Sequence, residues 1–281
     1  MGIHTLSMKC DTELKQNLKL YPFIKDRATK NSDGSYSYII NPNKFNEEIT
    51  KFSEYEFAMD NIISCLEPNN PVLTRIDYSI NCYDDNFEQL YKLNKVLILL
   101  LCAEYKFNNK YGSFNLLSDT KLCSRVQNAR IEIENYNKSI ENPFDKTKNR
   151  LEFRSKCLGN IPADNKERTV FQQWLNRLDN AVTVLNLQQL QEECNEYIYQ
   201  RYESEKQKHG FNMRCFVKQN ESFIFTQQQL TNFYSMTGLY KNPNAQARKY
   251  KSNNELEYIP FQLLQLYVDT IKNSAEVFFS N

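Results

Sequence analysis

Three short stretches of the sequence alternate polar and apolar residues, and each loads one side with ionisable groups. In TRIDYSIN, Ile76, Tyr78 and Ile80 point one way in an extended chain, while Arg75, Asp77, Ser79 and Asn81 point the other. ARIEIENYNK puts Ile131 and Ile133 on one side and Arg130, Glu132, Glu134, Tyr136 and Lys138 in register on the opposite side. RLEFRSK turns Leu151 and Phe153 inward and leaves Arg150, Glu152, Arg154 and Lys156 outward. If the three strands share an antiparallel sheet, one surface collects carboxylates, arginines, a lysine and a tyrosine. Cross-strand ion pairs on a wet sheet face account for each strand taken alone. Together, Arg-x-Asp and Arg-x-Glu-x-Arg concentrate charges that repel unless they are paired or bind something. A metal held by Asp and Glu, with arginines and a lysine around it, is a phosphate site.

The elements that must position these groups are legible from period and punctuation. GSYSYIINPNKF, after the turn signal NSDG, reads as a strand, as do VLTRIDYSINCYDD, NARIEIENYNKSIE and NRLEFRSK. KYGSFNLL reads as a further strand. Between the second and third strands, apolar residues recur at helical spacing through Leu90, Leu93, Leu97, Leu100 and Leu101, which predicts a core helix. From Asn165 the pattern is helical. Phe171, Trp174, Leu175 and Leu178 make one stripe, and Leu187, Leu190 and Tyr197 start another after a break near Val184 or Asn186. Further on, Thr226 suits a helix N-cap, Gly238 a stop, and Pro243 the first turn of a second helix. The expected fold is α+β: an antiparallel-sheet domain with core helices over residues 1–160, then a helical region over 161–281.

Length and composition bound the function. The 281 residues are 41% hydrophobic and 25% charged, a globular balance that can bury a substantial core. Lys and Arg number 35 against 34 Asp and Glu, so any basic surface must be local. The longest apolar run, around Val96 to Ala103, is far shorter than the roughly 20 residues that cross a bilayer. The N-terminus has no apolar signal region, so a cytoplasmic protein with no membrane partner is expected. The eight cysteines show no CxxC pair and no zinc-like cluster, which favours reduced, mostly buried thiols. No phosphate-cradling glycine loop and no Gly-x-Ser-x-Gly is present. His4 and His209 are remote from every motif along the chain and cannot supply a paired-histidine metal site.

The succession TRIDYSIN, NYNKSIE and NRLEFRSK resembles the replication-initiator family of rolling-circle plasmids and related phages, the transesterase type without a histidine-hydrophobic-histidine motif. In that family one strand carries Arg-x-Asp, a later one ends in Tyr-x-Lys with a Glu three residues on, and the next carries Arg-hydrophobic-Glu-hydrophobic-Arg. The resemblance spans roughly residues 36 to 160, and the chain departs from the family pattern between Gly112 and Arg130. It implies nicking of one origin-DNA strand by Tyr136, which becomes joined to the 5′ phosphate and frees a 3′ hydroxyl. A phenol with pKa near 10 needs a neighbouring cation or base to attack at neutral pH. Lys138, two residues on in the same strand, is the expected stabiliser of its phenolate. The implied cofactor is Mg²⁺ or Mn²⁺, held by Asp77 and Glu152 with Glu141, and polarising the scissile phosphate. Arg75, Arg150 and Arg154, with Lys156, would hold flanking phosphates. The implied partners are origin DNA, duplex and single-stranded, the host helicase and polymerase, and a second copy in a homodimer. A relaxase of a conjugative element with the same chemistry, or a non-catalytic origin-binding replication protein, fits the same residues.

Thr226 to Lys251 contains no Asp or Glu but carries Lys241, Arg248, Lys249 and Lys251. Helix, turn at Gly238 and helix is the layout of a helix-turn-helix over 226–251, with Arg248, Lys249 and Lys251 expected on duplex DNA. A solvated basic helix end is the plainer account of the same residues.

Overall fold

Alternation of the first motif becomes the central strand of a seven-stranded antiparallel sheet. The computed structural model describes residues 1–14, 21–25, 28–45, 49–83, 87–105, 123–141, 143–144, 146–147, 149–158, 166–252 and 258–280, with backbone alone at 87–89, 103–105, 123–124, 141 and 251–252. The strands are β1 (Gly2–Cys10), β2 (Thr29–Lys30), β3 (Tyr36–Ile40), β4 (Val72–Cys82), β5 (Cys123–Gln127), β6 (Ile131–Tyr136) and β7 (Asn149–Lys156), in the spatial order β2-β3-β1-β4-β7-β6-β5. The expected strand over KYGSFNLL lies outside the described residues. The fold is α+β, as the sequence pattern predicts.

The chain forms two compact units: residues 1–85, 107–176 and 269–281, and residues 86–106 and 177–268. This grouping is discontinuous in sequence rather than a cut at residue 160. In the sheet unit, Leu6, Met8, Ile76, Tyr78, Ile133, Leu151 and Phe153 form the apolar face, all buried. Helix α1 (Phe52–Leu66) presents Phe52, Tyr55, Met59, Ile62 and Leu66 at helical spacing to the same core. The first part of α4 (Lys166–Ala181) packs Phe171 against Tyr78 and Trp174 against Phe153, ring centroids 4.7 and 4.9 Å apart. Trp174 also donates its indole N–H to Ser155 at 2.8 Å, which settles a polar group that would be costly left bare in this core.

The second unit is helical. Its α2 (Phe87–Tyr105) is buried nearly all round from Val96 to Cys102, and an all-apolar helix has to be enclosed by other helices. That need places it with α5 (Val184–Glu205) and the helices that follow, α6 (Met213–Gln219), α7 (Gln227–Thr237), α8 (Pro243–Ser252) and the first part of α9 (Phe261–Phe279). Thr183 caps α5 by accepting from Asn186 N–H, so the expected helix break falls at Val182–Thr183. Thr226 caps α7, Gly238 ends it at φ 66°, and α8 begins at Pro243, as the punctuation predicts. Among the described residues, no helix is long and apolar enough to cross a membrane. Seven free cysteines are described, three buried and three exposed, so the thiols are not mostly buried as expected.

Candidate phosphate-handling site

Strand register assembles the three motifs on the face opposite the core. Across β4, β7 and β6, one row is Asp77, Arg154 and Glu132, the next Ser79, Glu152 and Glu134, and the third Asn81, Arg150 and Tyr136. Tyr136 Oη donates to Glu152 Oε1 at 2.8 Å. Arg154 is the hub. Its guanidinium meets Glu152 Oε2 and Glu134 Oε2 at 2.5 Å, Asp77 Oδ2 at 3.5 Å, and also Glu132. Arg75 grips both oxygens of Asp77, with Nε to Oδ1 at 2.6 Å. Lys156 and Arg125 close on Glu132 at 2.8 and 2.9 Å. Arg150 donates from Nε to Asn81 Oδ1 at 2.7 Å, and its Nη1 stands 3.7 Å from Glu152 Oε1.

This polar face is not wet. Asp77 is 1% exposed, Glu152 3%, Arg150 4% and Tyr136 8%. Alternation correctly gives the polarity of a face, but Arg75, Arg154 and Lys156 pair with Asp77, Glu132 and Glu152 and keep more exposure than they do, while Arg150 is buried with them. Burial raises the Asp77 carboxyl above its ordinary range even with Arg75 and Arg154 beside it. Burial also pushes Glu132 up, yet the Lys156 hydrogen bond and the charges of Arg154, Arg125 and Lys156 outweigh it and hold the group at about 2. Glu152 likewise ends below its ordinary value, since Arg154 overcomes its burial. The Tyr136 phenol is raised well above its ordinary value, by burial and then by the Glu152 charge, while Arg150 pulls it down. The resting state is therefore a protonated phenol on an ionised carboxylate.

Two expectations need correction. Lys138 does not continue the strand: β6 ends at Tyr136, and Lys138 opens the short helix α3 (Lys138–Glu141). Asn137 causes the turn, because its side-chain oxygen accepts from the N–H and hydroxyl of Ser139. The Lys138 ammonium still lies over the Tyr136 ring, 5.7 Å from its centroid. His4 is not remote from the motifs in space. The β1–β4 pairing passes from Ile3↔Tyr78 to Thr5↔Asp77 with a register shift, so His4 is the extra residue of a bulge, a device that re-aims a side chain. Its Nδ1 is 2.8 Å from Thr5 Oγ1. Burial first, then the charges of Arg150, Lys138 and Lys25 against that of Glu152, lower its pKa to about 4, so the imidazole is neutral. The alternation of Leu6, Met8 and Cys10 with Ser7 and Lys9 marks β1 as a strand, but the bulge needs the partner strand to be seen.

A divalent cation is tested by the donors themselves. Oxygen ligands of this kind suit Mg²⁺ or Mn²⁺. Yet both Asp77 oxygens are held by Arg75, Glu152 is shared by Tyr136 and Arg154, and Glu132 and Glu134 are paired with Arg154. Among the described residues, no three His, Cys, Asp or Glu side chains converge in a metal-holding group. As arranged, these residues do not fit the cation. The Glu141 side chain lies outside the described residues. In the helical unit, Arg248 and Lys249 are exposed on α8, and the Lys251 side chain lies outside the described residues.

No family model and no curated protein matches the chain. Among solved structures, it is similar to the rolling circle replication initiator protein from Geobacillus stearothermophilus at 10% identity and a TM-score of 0.32, the match covering 64% of this chain and 78% of that one.

Proposed function

We propose that this chain nicks and rejoins one strand of origin DNA, as a replication initiator of the rolling-circle type, with Tyr136 as nucleophile. The observation that carries the reading is the 2.8 Å hydrogen bond from Tyr136 to Glu152, inside an arginine network drawn from three separate motifs. A phenol kept protonated by burial needs an acceptor in contact at the moment of attack, and Glu152 is that acceptor. As the Tyr136 Oη–P bond forms, the phenolic proton passes to Glu152. The bond from phosphorus to the 3′ oxygen breaks, and that oxygen takes a proton from water. The protein is left on the 5′ phosphate, and the free 3′ hydroxyl is the primer that a host helicase and polymerase would use. Arg154 holds Glu152 in place, Lys138 covers the ring, and Arg75 and Lys156, six residues along their strands from the Tyr136 row, suit flanking phosphates. The exposed Arg248 and Lys249, beside Lys251 on a helix after a tight turn, suit duplex recognition.

The test is incubation of supercoiled DNA carrying the element's own origin with the full chain, in Mg²⁺, in Mn²⁺ and in chelator. The expected result is a relaxed circle and a protein-linked 5′ end that resists phosphatase, absent with Tyr136→Phe. Nicking by Tyr136→Phe at the wild-type rate would refute the assignment. Binding of origin DNA without any cleavage would leave a non-catalytic origin-binding protein.

A further inference from the structure

Arg150 differs from four other cations of the polar face. Arg75, Arg125, Arg154 and Lys156 each close on a carboxylate at 2.9 Å or less. Arg150 spends its Nε on a neutral amide, Asn81, and its Nη1 is buried with no hydrogen-bond partner among the described residues, the nearest carboxylate oxygen being Glu152 Oε1 at 3.7 Å. A buried guanidinium nitrogen left unsatisfied is costly, so a site that keeps one has a use for it. The surroundings say what kind. Arg150, Lys138 and Lys25 act together on His4, and the carboxylate acting with them is Glu152, already shared by Tyr136 and Arg154.

We infer that Arg150 Nη1 is the donor to a non-bridging oxygen of the attacked phosphate, with Lys138 beside it, rather than a contact to a flanking phosphate. The assignment rests on the nicking reading for its role, but the anion seat itself stands on the geometry alone. Register favours this place, since Arg150 is directly opposite Tyr136 across β6 and β7, whereas Arg75 is six residues along β4 from Asn81 in that same row. At about 3.4 Å per strand residue that is on the order of 20 Å, too far for one phosphate to touch both. The phenol keeps its 2.8 Å contact with Glu152 in this row, so a phosphate on Arg150 meets Tyr136 Oη with the proton acceptor still in place. A tetrahedral, fully ionised oxyanion matches the fork of a guanidinium.

Calorimetric titration of the full chain with inorganic phosphate, alongside nicking of origin DNA, separates the two claims. Wild type and a Lys206→Gln control should bind phosphate alike. Arg150→Gln should bind at least tenfold more weakly and nick about 10²- to 10³-fold more slowly, the usual effect of removing one transition-state donor, with duplex affinity changed less than threefold. Arg150→Lys, which keeps the charge without the fork, should fall between them in phosphate affinity. Phosphate binding in Arg150→Gln equal to wild type, or none in wild type, overturns the inference whatever the nicking result. Wild-type phosphate binding that Arg150→Gln loses, with no DNA cleaved by any variant, upholds the seat and refutes nicking. If Arg150→Gln fails to melt cooperatively, Arg150→Lys decides: affinity at least threefold weaker upholds the seat, and equal affinity overturns it.

Discussion

Replacing Lys95 by methionine should make the helical unit more stable, by an amount that depends on pH in a defined direction. Lys95 sits inside α2, 1% exposed, with its ammonium 5.0 Å from the centre of the Phe223 ring. Burial is the main cause that lowers its pKa from 10.5 to about 7; Lys92 adds to it, and Cys194 and Glu221 oppose it. Each unit is worth about 1.4 kcal/mol, so a charge forced into this place at neutral pH and below costs up to about 5 kcal/mol. Methionine fills similar volume with no charge; loss of the contact between the ammonium and the Phe223 ring and imperfect packing of the new side chain, about 1 kcal/mol each, bring the net gain to roughly 2–3 kcal/mol, or about 5–10 °C in Tm. For the sign, between pH 7 and 10.5 the unfolded chain holds the Lys95 proton and the folded chain does not, so wild-type stability rises with pH across that window. The variant's advantage should therefore be largest at and below pH 7 and vanish near pH 10.5. Urea melts of both proteins at pH 6, 7.5, 9 and 10.5 measure it, and the difference between the two cancels the titration of other groups. A variant less stable than wild type at pH 7, or an advantage constant with pH, would refute the reasoning.

Other consequences follow from the charge network. Arg154→Met strips Asp77, Glu132, Glu134 and Glu152 of their shared partner and should cost on the order of 3–5 kcal/mol in a urea melt, against under 1 if the pairs were ordinary surface bridges. Glu132, held at about 2, contributes stability that is present above the ordinary carboxylate pKa and lost as pH falls from about 4.5 towards 2. Glu132→Gln should therefore destabilise at pH 7 and much less at pH 2.5. Asp77→Asn should be the milder change at pH 7, because burial already raises that carboxyl and the charged form gains less. If α8 lies on duplex DNA, Arg248→Gln and Lys249→Gln should each lower the slope of log affinity against log salt by about 1, read by fluorescence anisotropy, and unchanged slopes would remove α8 from the contact.

Much of this was legible because strands have period two and helices 3.6. The outward set of β4, β6 and β7 follows from alternation, and the bounds of α7 and α8 from Thr226, Gly238 and Pro243, whereas the Thr183 cap of α5 is seen only in the structure. Helix α1 carried the same kind of signal in Phe52, Tyr55, Met59, Ile62 and Leu66, overlooked among shorter strand patterns. Pairing was a different matter. Nothing local in GIHTLSMKC says that β1 lies beside β4, so neither the bulge at His4 nor its closeness to Arg150 and Glu152 could be read. Lys138 was misplaced for a local reason: Asn137 followed by Ser139 is a turn former, and its side-chain hydrogen bonds stopped the strand two residues earlier than the alternation suggested.

The charge count of the polar face connects these points. Among the described residues, its ion pairs join four carboxylates, Asp77, Glu132, Glu134 and Glu152, to five cations, Arg75, Arg125, Arg150, Arg154 and Lys156. Buried ion pairs are poor sources of stability compared with apolar packing, so a network of this size is better understood by what it places. It places Glu152 between Arg154 and the phenol, and Arg150 where its free nitrogen faces the same carboxylate. A divalent cation would have to displace arginines to reach Asp77, Glu132, Glu134 or Glu152. Asp77 and Glu152, the two described members of the expected metal set, thus do a different task here: with Glu132 and Glu134 they hold the cations that the proposed reading assigns to phosphate.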